Sequence, residues 1–378
     1  MVTTPKRTEF ARNPQPLFCP DPDCPSRGKQ NEGNLTVHDG LKDRFRGSTC
    51  QTTFSSRKGT LFYRLKTDPQ TVVCVLVLLS FGCPMRAVVE AFCLDERTVR
   101  SWQTKAGRQC EQVHTRLVTD KPGQMPQVQA DEMRLRCQKR VVWRAMALCV
   151  STRLWLGGVV SSQRDKHLAR SLTDRVKACA LPGALLTDGF PAYKAAFARA
   201  FRQAKQTGRA GRPALETCAG FVLASTLKWQ EAGRCLGIRV CHLFGDCAGI
   251  ARLLPAGQVL NTAYIERLNA TFRQRLAGFC RRSRCLLRHE TSVADGMFLV
   301  GTVYNFCTPH QSLTKDKQLR TPAMAAGLTD YVWSVGELLG YRIAPAPYVP
   351  PQRRGRPPEN GAKAGAQQSK GANAVVTV

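Results

Sequence analysis

The chain has 378 residues, enough for two or three folded units of about 150 residues each and too many for one small module. Its 56 lysines and arginines against 27 acidic residues leave a net charge of +29, far beyond what solubility requires, so a polyanionic partner is implied. With 43% hydrophobic and 22% charged residues the chain can build a core, which excludes disorder throughout. The most apolar stretch, Val72 to Leu79, is far too short to span a bilayer. Lys6, Arg7 and Arg12 are followed by Pro14 and Pro16 instead of an apolar segment, so no secretory signal is expected. Seventeen cysteines without the regular spacing of a disulfide scaffold suit a reducing cytoplasm, where most act as small core hydrophobes.

Residues 1–66 read as a zinc-ribbon-like β module. Cys19 and Cys24 form a knuckle, Cys50 follows, and Gly47 stands where a fourth sulfur ligand belongs. Either His38 substitutes, or the site is decayed, or the three cysteines are ordinary. So thin a core needs a staple such as structural Zn2+ to fold alone.

Residues 67–120 read as three helices. Asp68-Pro69 starts one that runs to Leu79, Pro84 starts a second through Phe92, and Asp95 caps a third carrying Val99, Trp102 and Ala106 inward. This is a helix-turn-helix pattern, with Arg97, Arg100, Lys105 and Arg108 available to DNA; a plain helical bundle with solvated basic residues is the alternative.

Residues 121–340 change period. Val128–Leu135, Trp143–Val150 and Leu154–Ser161 alternate as strands, Asp165–Cys179 is helical, Ala184–Thr187 is a buried strand, and a helix carries Tyr193, Phe197 and Phe201. Residues 203–235, rich in Gly, Arg and Lys, read as an insertion ahead of a strand at Ile238–Phe244. A long helix starts near Thr262, on which Ile265, Leu268, Phe272 and Leu276 form an apolar stripe beside a polar row of Glu266, Asn269 and Arg273. Residues 341–378 read as a disordered basic tail.

Asp131 on the first strand of this unit, Asp188 closing the fourth and Glu266 on the late helix form the chemically decisive group. Three acids brought together repel one another unless cations neutralise them, and two Mg2+ or Mn2+ ions there can activate a water or 3'-hydroxyl against a phosphodiester. Downstream Arg267, Arg273, Arg275, Arg281, Arg282, Arg284 and Arg288 supply a cationic row suited to phosphate contacts. In the tail, Arg354-Gly355-Arg356-Pro357 matches a minor-groove-binding core or a plain basic linker. No phosphate-loop motif indicates ATP use.

Gln129-Ala130-Asp131-Glu132, Leu186-Thr187-Asp188-Gly189-Phe190-Pro191-Ala192-Tyr193 and Asn261-Thr262-Ala263-Tyr264-Ile265-Glu266-Arg267-Leu268-Asn269 with Arg273-Gln274-Arg275-Leu276 resemble the DDE transposases of bacterial insertion elements. Tyr304-Asn305-Phe306 with Pro309-His310, and Arg320 to Leu328, resemble that family's closing segment. The resemblance implies an RNase H-like mixed α/β catalytic core, with Asp131, Asp188 and Glu266 as catalytic metal ligands and N-terminal modules on the element's terminal repeats. It implies double-stranded DNA partners, namely inverted repeats and target DNA, and a homo-oligomer assembled on them. A catalytically inactive DNA-binding regulator and a structure-specific nuclease of the same fold are the rival expectations.

Overall fold

The computed structural model describes residues 16–121, 123–137, 140–205, 212–231, 234–245, 261–276 and 289–350. Arg281, Arg282, Arg284, Arg288, Arg354 and Arg356 lie outside them. Among the described residues no helix is long and apolar enough to cross a membrane.

At the N-terminal end β1 (Leu35–Asp39), β2 (Arg44–Gly47) and β3 (Thr53–Ser55) form a three-stranded antiparallel sheet. Three helices follow: α1 (Pro69–Ser80), α2 (Met85–Phe92) and α3 (Glu96–His114). The cap residues explain where they start. The Asp68 carboxylate accepts from the amides of Gln70 and Thr71, and Asp95 does the same for Arg97 and Thr98. Cys93 ends α2 in the left-handed region at φ 50°.

The central sheet has six strands in the order β11-β10-β7-β4-β5-β6. Strands β4 (Gly123–Cys137), β5 (Arg140–Cys149) and β6 (Trp155–Ser161) are successive antiparallel neighbours. Helix α4 (Lys166–Cys179) then crosses over to β7 (Ala180–Thr187), which lies parallel to β4 with Ala130 opposite Thr187. Helix α5 (Pro191–Ala200) and the small hairpin of β8 (Arg202–Ala204) and β9 (Leu215–Thr217) lead to β10 (Val222–Glu231), parallel to β7. Strand β11 (Arg234–Gly245) returns antiparallel to β10. The sheet is thus mixed, with helices packed on it.

The expected insertion at 203–235 is therefore corrected: much of it is a core strand. Val222, Leu223 and Ala224 are all buried, as in a strand covered on both faces, where side-chain alternation gives no signal. The flanking Gly, Arg and Lys hide it further.

Helix α6 (Ala263–Arg275) lies on β4 and β5, and α7 (Glu290–Cys307), buried almost all round, packs on α3 and β6. A Cβ on Gly107 of α3 would stand 2.4 Å from the Asp295 backbone of α7, so the two helices touch backbone to backbone. Strands β12 (His310–Lys315) and β13 (Gln318–Arg320) form a terminal hairpin, followed by α8 (Pro322–Ala325) and α9 (Val335–Gly340).

One apolar cluster runs from Leu61 through the three helices and the sheet to Leu339, so the trihelical segment shares its core with the sheet and is not a separately packed unit. The boundary expected at 341 also shifts. The Tyr341 carbonyl accepts from Gln109 Nε2 at 2.7 Å, Arg342 Nε donates to Ser56 O, and the Ile343 amide donates to Gly59 O. These bonds strap the chain back onto α3 and the N-terminal module. Residues 351–378 of the expected tail lie outside the described residues.

Candidate metal centre

Strand β4 presents alternate residues to opposite faces of the sheet. Gln129, Asp131 and Met133 face α6. The Gln129 side chain bridges the two elements: its Nε2 donates to Asn261 O at 2.6 Å, and its Oε1 accepts from the Ile265 amide at 2.9 Å. Ile265, Leu268 and Phe272 are buried beneath the helix, as the apolar stripe predicts. The next polar row then lies along the sheet edge. Asn269 Nδ2 donates to Asp131 Oδ2 at 2.7 Å, while its Oδ1 accepts from Nη2 of the fully buried Arg144 at 2.6 Å. Arg273 Nε points at Met133 Sδ, 2.8 Å away.

Asp188 follows the last residue of β7 and so stands level with Asp131. Its Oδ1 accepts from the Phe190 amide at 3.2 Å, a local turn that feeds α5, whose first residue is Pro191. Carboxylate oxygens of Asp131, Asp188 and Glu132 all lie within 4.8 Å of one another. Glu266, in the first turn of α6, is exposed and accepts from Thr262 Oγ1 at 2.9 Å. Burial, then the charges of Asp188 and Glu266, push Asp131 up to about 6. Two of the three expected acids, Asp131 and Asp188, therefore meet at one edge of the sheet together with Glu132, while Glu266 stands outside that group and reaches Asp131 only through its charge.

Glu132 is the residue that sequence reading missed. Strand alternation points it away from Asp131, toward Tyr193 and Arg164. Its side chain is only 1% exposed, and burial followed by the Asp188 charge raises it to about 7 against the opposing pull of Arg164. Its place directly after Asp131 was the available signal.

Such a cluster of carboxylates fits a hard divalent cation, which takes oxygen ligands and cancels the repulsion. It can polarise a phosphodiester and activate the attacking oxygen.

The basic residues divide. Arg97, Arg100 and Lys105 are exposed on α3, with Arg100 paired to Glu96. Arg267 is exposed on α6. Arg275 is tied inward: it donates to Thr308 Oγ1, stacks over Phe81 at 4.5 Å and is mostly buried, so its expected role on DNA is corrected to one of packing.

At the N-terminal end the thiols of Cys19, Cys24 and Cys50 lie within 4.8 Å of one another, with Cys19 and Cys50 3.6 Å apart. Zinc–sulfur bonds of about 2.3 Å set thiolates about 3.8 Å apart at the corners of a tetrahedron, so the spacing fits zinc. Burial first, and Cys50 beside it, push Cys19 up to about 12. A Cβ on Gly47 would lie 2.8 Å from Cys50 Sγ and 3.6 Å from Cys19 Sγ, so Gly47 abuts the thiol group without offering a donor. His38 is exposed on β1 and outside this group, which removes it as the substitute ligand.

The motif Tyr304-Asn305-Phe306 has a structural task. Asn305 Oδ1 accepts from the Trp155 amide and its Nδ2 donates to Trp155 O, which clamps edge strand β6 to α7. A cavity of about 220 Å³ lies at the opposite end of β4, lined by Gly123, Met125, Ser151 and Leu328, away from the acids. No protein-family model and no curated protein sequence matches the chain.

Proposed function

We propose that the chain is a DDE-type DNA transposase that acts on mobile-element ends through a divalent-metal centre. The observation that carries this reading is the meeting of the Asp131 and Asp188 carboxylates at one edge of the sheet, with Glu266 on α6 near enough for its charge to act on Asp131 and the basic face of α6 beside them. Three antiparallel strands, a helix, a parallel strand and a helix, with Asp131 within the first strand and Asp188 just past the end of the fourth, support an RNase H-like catalytic core. The net charge of +29 supports DNA as the polyanion.

Mg2+ or Mn2+ bound there would stabilise charge on the attacking and leaving oxygens of a phosphodiester. Asp131 and Asp188 would hold it from adjacent strands, and Glu266 would close the site from α6. Asn269 orients the Asp131 carboxylate, Arg144 fixes Asn269 from below, and Gln129 sets the height of Glu266 above the sheet. Arg267 and Arg273 would meet the DNA backbone, and Arg97, Arg100 and Lys105 on α3 would serve element-end binding in the helix-turn-helix reading. The Cys19, Cys24 and Cys50 thiolates would hold a structural Zn2+. A homo-oligomer follows from the need to join two ends, and the cytoplasm from the free thiols.

The test is Mg2+-dependent cleavage and strand transfer on a duplex carrying the inverted repeats that flank the reading frame, with Asp188→Asn as control. Cutting and joining lost in Asp188→Asn supports the reading. Binding without cutting by the unaltered protein overturns it in favour of a DNA-binding regulator, and cutting without joining in favour of a nuclease.

A further inference from the structure

We propose that Glu132 is an additional ligand for the divalent cation at Asp131 and Asp188, and that the Arg164 guanidinium occupies its carboxylate until the cation arrives. The inference rests on the metal-centre reading above and extends it to two residues outside the three expected acids.

Neighbouring residues on a strand ordinarily cannot share a ligand, because they point to opposite faces. Here one side of the strand is open. Strand β5 still pairs with both residues, Met146 opposite Asp131 and Ala145 opposite Glu132, but β7 stops at Thr187, opposite Ala130, so on that side no strand stands between the two faces at their level. Asp188 stands in that gap, and all three carboxylates come within 4.8 Å.

Two buried atoms are under-satisfied. Glu132 Oε2 and the Tyr193 hydroxyl face each other, yet both are buried and neither makes a hydrogen bond of full geometry. Tyr193 is fully buried, and the charges of Glu132, Asp188 and Asp131 all act on it. A buried carboxylate oxygen left unpaired costs stability unless something binds it, and a hard cation takes such oxygens at about 2.0–2.6 Å.

A cation already stands there in the form of a side chain. Arg164 donates to Glu132 Oε1 through Nε at 2.8 Å and through Nη2, and the same Nη2 lies 3.6 Å from Asp188 Oδ2. Arg164 belongs to the loop between β6 and α4 and is 37% exposed, so it can withdraw toward solvent. Its guanidinium also lies 4.4 Å from the Phe190 ring and 5.1 Å from the Trp143 ring. Those ring contacts give it a resting place once it releases Glu132.

The experiment is calorimetric titration of the full chain with MnCl2 in the absence of DNA, on the unaltered protein and on Glu132→Gln, Arg164→Gln and Asp131→Asn. Circular dichroism verifies folding. Glu132→Gln is expected to weaken Mn2+ binding about tenfold or more, the scale of losing a supporting group at a metal site. Arg164→Gln is expected to tighten binding several-fold. Mn2+ affinity unchanged in Glu132→Gln but lost in Asp131→Asn overturns the ligand assignment and leaves the metal centre standing. Unchanged or weaker binding in Arg164→Gln overturns the exchange. Absence of Mn2+ binding by the unaltered protein overturns the metal-centre reading itself. Should Glu132→Gln misfold, Glu132→Asp replaces it, with intermediate affinity expected and unaltered affinity counting against the assignment.

Discussion

Replacing Asp131 by Asn removes a charge that the fold holds at a disadvantage. Burial, then Asp188, raise the Asp131 carboxyl from 3.8 to about 6. At about 1.36 kcal/mol per unit, that shift represents about 3 kcal/mol of destabilisation when the group is fully ionised. The sign follows from proton counts. Between pH 3.8 and about 6 the folded state binds this proton more tightly than the unfolded chain, so stability falls as pH rises through that window. The penalty is absent below the unfolded value and complete above about pH 7. Integrating the two titrations gives about 1.6 kcal/mol at pH 5 and about 3 at pH 8. The Asn amide carries its own desolvation cost, but that cost does not change with pH. The stability difference between Asp131→Asn and the unaltered protein should therefore shift by about 1.4 kcal/mol in the variant's favour from pH 5 to pH 8. Urea unfolding at the two pH values in EDTA measures this. Adding Mg2+ at ten times its dissociation constant should stabilise the unaltered protein by about 1.4 kcal/mol and the variant by far less. A variant equally affected at both pH values would refute the claim that burial, with the neighbouring acids, holds the charged Asp131 carboxylate at a disadvantage.

Gln129→Ala breaks both bonds that join β4 to the start of α6. Its turnover on DNA should fall by about a hundredfold, as for a misplacement of about 1 Å, with KM for DNA nearly unchanged; steady-state kinetics separate the two. Gly107→Val inserts methyl groups where the α3 and α7 backbones touch, and should cost about 3 kcal/mol or more in denaturant unfolding, with lost soluble protein as the extreme outcome. Gly47→Cys places a fourth sulfur donor beside the thiol group, once Cys50 shifts by a few tenths of an ångström to admit its Cβ. It should hold Zn2+ more tightly against a chelator than the unaltered protein, as followed by metal analysis; equal loss from both would count against a zinc site.

How much of this was legible beforehand depends on where each signal resides. The helix starts were written locally, since Asp68-Pro69 and Asp95 cap through bonds to residues two or three positions on. The strands from Val128 to Ser161 were readable because antiparallel neighbours keep a pattern of alternation. Strand β10 was not, because burial on both faces removes that pattern and Gly, Arg and Lys surround it. Glu266, Asn269 and Arg273 were placed on one face by helical spacing alone, and Asn269 indeed reaches Asp131.

The sequence by itself determined the charge, the caps, the strand and helix periods, and the choice of Asp131, Asp188 and Glu266 as candidate acids. Only the tertiary structure decided that the trihelical segment shares a core with the sheet, because the contact of Gly107 with Asp295 joins residues 188 positions apart. It alone turned Arg275 inward onto Phe81 and Thr308, and left His38 in solvent. It also brought Glu132 into the group of acids. The period of a strand assigns that residue to the far face, and what overrides the period is the place where β7 ends, a property of pairing between distant segments.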